Sequence, residues 1–256
     1  MYALAVLFAA YTGVRASELQ GLQVGDVTLS DIPGTVGNVR VVRTKKKVRA
    51  AEGALADGES THGSLSSQSK GGSLSSTTRW IEGTPKSDAS TNRVVPLAPW
   101  LADDLRDYLT TVHPFAGKHP HAPLFPGRRT RAGIRPLSAT VELDEQLQHA
   151  EFVAGFDWAK PIVVDNVYHN YFQPACKALG LGSVRFHDLR HTFATLALSA
   201  GEHYMQVSKW LGHSSYVLTL TTYADYIAED DTAAPNFQRP TAAVSKNVVP
   251  LKRNAN

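Results

Sequence analysis

The stretch RFHDLRHTFATLALSAG, residues 185–201, sets His187, Arg190 and His191 within five positions on a segment with helical spacing. Leu189, Phe193, Leu196 and Ala197 share one side of that helix and are expected to face the core. His187, Arg190 and His191, at i, i+3 and i+4, are expected to point away from it and to be presented rather than buried. Two imidazoles and a guanidinium this close repel one another once the histidines are protonated, unless an anion sits among them. A phosphate suits such a group. Two other readings stand beside it: a helix that merely carries polar residues, and a metal held through His187 and His191, which lacks the glutamate of an H-E-x-x-H pattern.

Four more stretches stand out beside it: TGVRASEL with Arg15, TPKSDASTNRVVPL with Lys86, LGHSS with His213 and TLTTYADY with Tyr223. In this order and at these intervals they resemble the tyrosine recombinases, also called phage integrases. The catalytic domain of that family is marked by an Arg in a helix break, a Lys on a strand hairpin, H-x-x-R on a helix, a later L-G-H and a Tyr soon after it. The resemblance covers residues 1–228 and implies an α+β fold, mostly helical with a small antiparallel sheet at one edge. It also implies an activity: site-specific cutting and rejoining of DNA through a 3′-phosphotyrosine intermediate, with no metal, ATP or other cofactor.

Each implied role can be set beside what the residue type can do. Arg15 and Arg190 would hold the non-bridging phosphate oxygens, where the transition state concentrates negative charge, because a guanidinium offers planar paired donors and keeps its proton. Glu18 would fix Arg15 through an ion pair, or else be an ordinary surface helix pair. Tyr223 would attack phosphorus, with Tyr216 and Tyr226 as the alternatives under a shift of register, and His187 would take the phenolic proton. Lys86 would protonate the departing 5′ oxygen, although Lys45, Lys46 and Lys47 are near enough in sequence to reach the same phosphate. His213 would donate a hydrogen bond to the phosphate, and His191 would play a supporting part, tying its helix to a neighbouring segment.

The elements that must position these groups follow from periodicity and punctuation. Residues 1–24 read as two helices broken at Tyr11-Thr12-Gly13. Segments 26–30, 38–43, 79–82 and 93–97 read as strands of one small sheet. Helices are expected over 99–112, 138–155, 165–180, 187–200, 203–211 and 215–228, with Pro114, Pro120, Pro123, Pro126 and Pro136 marking an irregular connection. Residues 50–78, rich in Ala, Gly, Ser and Thr, read as a low-complexity insertion, and 229–256 as a tail, either disordered or packing on a neighbouring protomer.

The 256 residues carry a net charge of only +3, but unevenly. Arg40, Arg43, Lys45, Lys46, Lys47 and Arg49 fall in ten residues without an acid, as a DNA-backbone grip would require, or a solvated turn. The apolar start MYALAVLFAAY is too short to span a bilayer and lacks a secretory leader, and the single cysteine, Cys176, fits a reducing compartment. The expected setting is the cytoplasm of a bacterial host, on the nucleoid. The resemblance implies double-stranded DNA as partner, a homo-tetramer on it, and accessory DNA-bending or directionality proteins. It also suggests a catalytic domain alone, without the family's N-terminal core-binding domain. Two rival functions remain at this point: a type IB topoisomerase-like activity, and a truncated non-catalytic DNA-binding remnant.

Overall fold

A computed structural model describes residues 1–49, 78–129 and 155–227. The expected insertion (all but Thr78), the helix expected over 138–155 (all but Gly155) and the tail 229–256 lie outside the described residues.

Helix α1, Tyr2–Thr12, has almost no polar side, so it runs through the middle of the core, where Ala5, Phe8 and Ala9 are buried. It stops where the sequence suggests. Gly13 adopts φ +64°, and a Cβ there would stand 2.6 Å from Phe193 Cδ1, so both the backbone turn and the packing call for glycine. The chain restarts as α2, Ala16–Gly21, with Arg15 at its N-cap.

Among the described residues the strands form three small antiparallel units instead of one sheet. Strands β1 (Val27–Thr28), β2 (Gly37–Val41) and β5 (Arg93–Leu97) pair in the order β1-β2-β5, and Val39, Val41, Val95 and Leu97 turn their alternating apolar side to the core. The basic run does not continue β2. It turns at Val42–Arg43 and forms β3 (Thr44–Arg49), which pairs with β4 (Thr78–Gly83) as a separate hairpin. TKKKVR has too few apolar side chains to join a core-facing sheet, and this is the physical reason for the split. Strands β6 (Pro126–Arg128) and β7 (Phe156–Pro161), for which the sequence pattern offered no expectation, make the third unit.

Beyond β5 the chain is mainly helical. Helix α3, Pro99–Asp107, runs on into a wide turn at Tyr108–Val112. Helix α4 consists of three consecutive segments, Val164–Val167, Tyr168–Phe172 and Gln173–Ala178. Helices α5 (Asp188–Ser199), α6 (Tyr204–Leu211) and α7 (Tyr216–Tyr223) follow close to their expected positions. Helix α5 packs on α1 and is flanked by α6 and α7, which brings the ends of α1, α6 and α7 around its N-terminal half.

Candidate active site

The expectation that Arg190 is presented to solvent is wrong. Only 5% of it is exposed. Arg190 lies on the same stripe of α5 as Ala194 and Leu198, which are buried, whereas Leu196, expected in the core, is exposed. A buried guanidinium requires acceptors, and two helix ends supply them. Nη1 donates to the Gly13 carbonyl at 2.6 Å, just past α1, and Nη2 to the Leu211 carbonyl at 2.5 Å, in the last turn of α6. Carbonyls at helix C-termini lack intrahelical partners and carry the negative end of the helix dipole, so one arginine satisfies both ends and joins them.

Arg15 is held from the other side. Its backbone N–H donates to Glu18 Oε2 at 2.7 Å and its Nη1 to Oε1 at 2.9 Å. Glu18 is fully buried, so the surface-pair reading fails. The carboxylate also accepts from Arg93, Nη1 to Oε1 at 3.0 Å and Nη2 to Oε2 at 2.7 Å. Arg93, at the head of β5, donates through Nε to the Trp210 carbonyl at 2.8 Å, tying this network to the last turn of α6. Ser90 closes the loop: it accepts from Arg15 Nη1 at 3.2 Å and donates to the Gly212 carbonyl at 2.6 Å. Arg15 and Arg190 thus converge on the same two places, the α1–α2 break and the L-G-H turn.

That turn delivers His213. Gly212 adopts φ +66°, and a Cβ there would meet Ser90 Cα at 2.8 Å. The His213 Nδ1 lies 2.8 Å from Oγ1 of buried Thr219 on α7. Tyr223, at the end of α7, is buried except for 5% of its surface, and its Oη sits 2.6 Å from Nδ1 of His191. Tyr216 and Tyr226 are about half exposed, and the Tyr216 ring faces Tyr204. The partner of the Tyr223 phenol is therefore His191 and not His187, the histidine expected there. His187 is exposed, one turn earlier, with its ring edge-on to that of His191 at 5.3 Å.

The field in this cluster is positive. Burial, then the Arg15 and Arg93 charges, pull Arg190 down to about 9, partly opposed by Glu18, and it remains a cation at neutral pH. Burial and the charges of Arg190 and Arg15 lower His213 to about 4. Burial, then His191, Arg190 and Arg15, lower His187 as well. Burial raises Glu18, but the hydrogen bonds and charge of Arg93, with those of Arg15, outweigh it and hold the carboxyl below its ordinary value. Burial raises the Tyr223 phenol, against the pull of Arg190. Glu18 is bonded to Arg15 and Arg93, and Asp188, the carboxylate nearest His191, is already paired with Arg185, so cations are in excess and a bound anion would relieve it. Among the described residues no group of three or more His, Cys, Asp or Glu side chains is arranged to hold a metal ion.

The remaining candidates surround this centre. Lys86 is exposed in the loop after β4, and its neighbour Ser87 contacts Ser90 Oγ at 2.8 Å, which ties the loop to the Arg15 network. In the basic run, Arg43 is held by Asp26 at 2.6 Å and Lys45 lies 3.4 Å from Glu82. Arg40, Lys46 and Lys47 are exposed, and Arg49 belongs to β3 with its side chain outside the description. Lys47 borders a cleft of about 620 Å³ that also takes in Trp80, Arg128, Arg129 and Lys160. Sequence reasoning missed Arg93 and Ser90. Arg93 left one usable signal, a cation opening an otherwise apolar buried strand; nothing distinguished Ser90 from the serines around it.

Residues 74–229 match the sequence model of the Phage integrase family, more than half of the chain. No curated protein matches the chain in sequence. Among solved structures, the fold is similar to the Tn1549 transposon integrase in complex with a circular intermediate DNA, at 17% identity and a TM-score of 0.46, over 88% of this chain and 54% of that one. It is also similar to the XerH site-specific recombinase bound to its difH substrate, at 16% identity and a TM-score of 0.48, over 90% of this chain and 43% of that one. XerA recombinase matches at 18% identity and a TM-score of 0.41, over 90% of this chain and 58% of that one. The chain spans about half the length of the structures it matches.

Proposed function

The chain belongs to the phage integrase family, and on that premise we propose that it cuts and rejoins DNA at specific sites by attack of Tyr223 on a backbone phosphate. The observation that carries the proposal is a buried tyrosine, bonded to a histidine, at the edge of a cluster built around Arg15 and Arg190. Arg15, Arg190 and His213 bind the non-bridging oxygens and stabilise the charge that develops there. His187, exposed beside them, adds a further imidazole donor. Tyr223 Oη forms a bond to phosphorus and the P–O5′ bond breaks, leaving a 3′-phosphotyrosine and a 5′-hydroxyl. Lys86 supplies the proton to that oxygen. The phosphodiester energy is kept in the new link, so rejoining is the same path reversed and needs no ATP.

The exposed side chains of Arg40, Lys46 and Lys47, with Arg49, Lys45 and Arg43 near them, grip the flanking phosphates. They set position on DNA and do not read its sequence. Strand exchange between two duplexes calls for four protomers, with accessory proteins giving direction, in the cytoplasm of a bacterial host.

The test uses a pool of nicked, random-sequence duplexes labelled on the strand that would be held. The unaltered chain should give a band that survives denaturation and protease-trims to a phosphotyrosine peptide at 223. Tyr223→Phe should give none. Adduct formation by Tyr223→Phe, or by neither protein, refutes the proposal.

A further inference from the structure

We propose that His191 is the general base of the reaction, taking the proton of Tyr223 Oη directly through Nδ1. This rests on the function proposed above and deepens it. Among the described residues no other imidazole is bonded to the phenol: His213 Nδ1 is engaged by Thr219, and the His187 ring stands nearly perpendicular to that of His191. The 2.6 Å separation puts Oη and the ring nitrogen in a short hydrogen bond, along which a proton can pass. In the tautomer that leaves Nδ1 unprotonated, the phenol, which burial favours in its protonated form, donates to Nδ1, and this is the arrangement the transfer uses.

The groups around His191 suit transfer. His187 and Asp188 stand near it on α5, His213 on the turn after α6 and Tyr223 on α7. As the Oη–P bond forms, the proton passes from Oη to Nδ1. The electron pair of the P–O5′ bond leaves with O5′, which is protonated by Lys86. In rejoining, the 5′-hydroxyl attacks phosphorus and returns its proton to Lys86, while Tyr223 leaves and recovers its proton from the His191 imidazolium. His191 is one residue from Arg190 on the helix, so the base and the phosphate clamp move as one rigid unit.

The variant His191→Gln keeps a hydrogen-bond acceptor for the phenol but cannot hold its proton, and His191→Ala removes both. With the duplexes recovered from the pool above, both should form adduct about 100-fold or more slowly, the usual scale of a lost general base. Two chemical substitutions separate catalysis from packing. A more acidic phenol, 3,5-difluorotyrosine at position 223, should restore His191→Gln by about tenfold or more, relative to its effect on the unaltered chain. A sulfur in place of the 5′ bridging oxygen, which leaves without a proton, should restore Lys86→Ala and not His191→Gln. Cleavage by His191→Gln at the unaltered rate would overturn the assignment, as would equal losses with both phenols, or rescue by the sulfur substrate. If Tyr223→Phe forms adduct, the function itself falls, a result separable from any of these because His191 is intact in that protein.

Discussion

Replacing Glu18 with Gln tests the centre of the site through stability before any DNA is added. The carboxylate accepts four hydrogen bonds of 2.7–3.0 Å, two from Arg15 and two from Arg93, and is fully buried. An amide of the same shape keeps one oxygen but turns an N–H₂ toward a guanidinium and leaves Arg93, itself almost wholly buried, without its counter-charge. Breaking a buried pair on one side costs about 3–5 kcal/mol. For a protein of this size about 2–4 °C of Tm accompanies each kcal/mol, so a fall of roughly 6–20 °C is expected in a thermal scan. The pH dependence has a definite sign. Glu18 is held below its ordinary 4.5, so its contribution is present above that pH and is lost as pH falls through the lower folded value. The gap between the two proteins should therefore narrow on acidification below about 4.5. The double replacement Glu18→Leu with Arg93→Met removes both charges at similar volume and should recover much of the stability, while adduct formation should be lost because Arg15 keeps only its bond to Ser90 and loses its carboxylate anchor. A Tm for Glu18→Gln within about 2 °C of the unaltered protein would refute the reasoning.

Arg190→Lys retains charge but offers no planar fork to the Gly13 and Leu211 carbonyls; it should fold with a lowered Tm and lose adduct formation by about 100-fold or more in the nicked-duplex assay. Gly212→Ala should destabilise by roughly 1–3 kcal/mol in urea unfolding, because φ +66° and the Ser90 Cα at 2.8 Å both oppose a Cβ. His213 is neutral in the fold down to about 4 against an ordinary 6.5, so its linkage makes stability complete above 6.5 and progressively lower toward 4. Phosphate beside it reverses that preference. Binding of DNA near pH 6 should take up protons, and calorimetric enthalpies that do not change between buffers of different ionisation heat would contradict this.

Local periodicity made the helices legible. The end of α1 at Gly13, and α5, α6 and α7, lie where spacing and punctuation put them, because 3.6-residue patterns and left-handed glycines act within a few residues. The small units of sheet were less so. Strand β3 carries residues typed for solvent, and only its pairing with β4 across the 50–77 stretch makes it a strand. Helix α5 misled on orientation: its wheel carries both apolar and cationic groups near one edge, and which of them enters the core depends on what the neighbouring helices leave unsatisfied.

By itself the sequence determined the chemical inventory, because residue type and order along the chain suffice to say that arginines, histidines, a lysine and a tyrosine could serve one phosphate. Only the tertiary structure decided their division of labour. Arg190 is buried because two distant helix ends present carbonyls to it, Arg93 matters because Glu18 lies 75 residues away in sequence but 2.7 Å in space, and His191 meets Tyr223 because α7 folds back across α5. Hydrogen bonding and desolvation depend on distances between segments far apart in the chain, and such distances come into being only when the core packs.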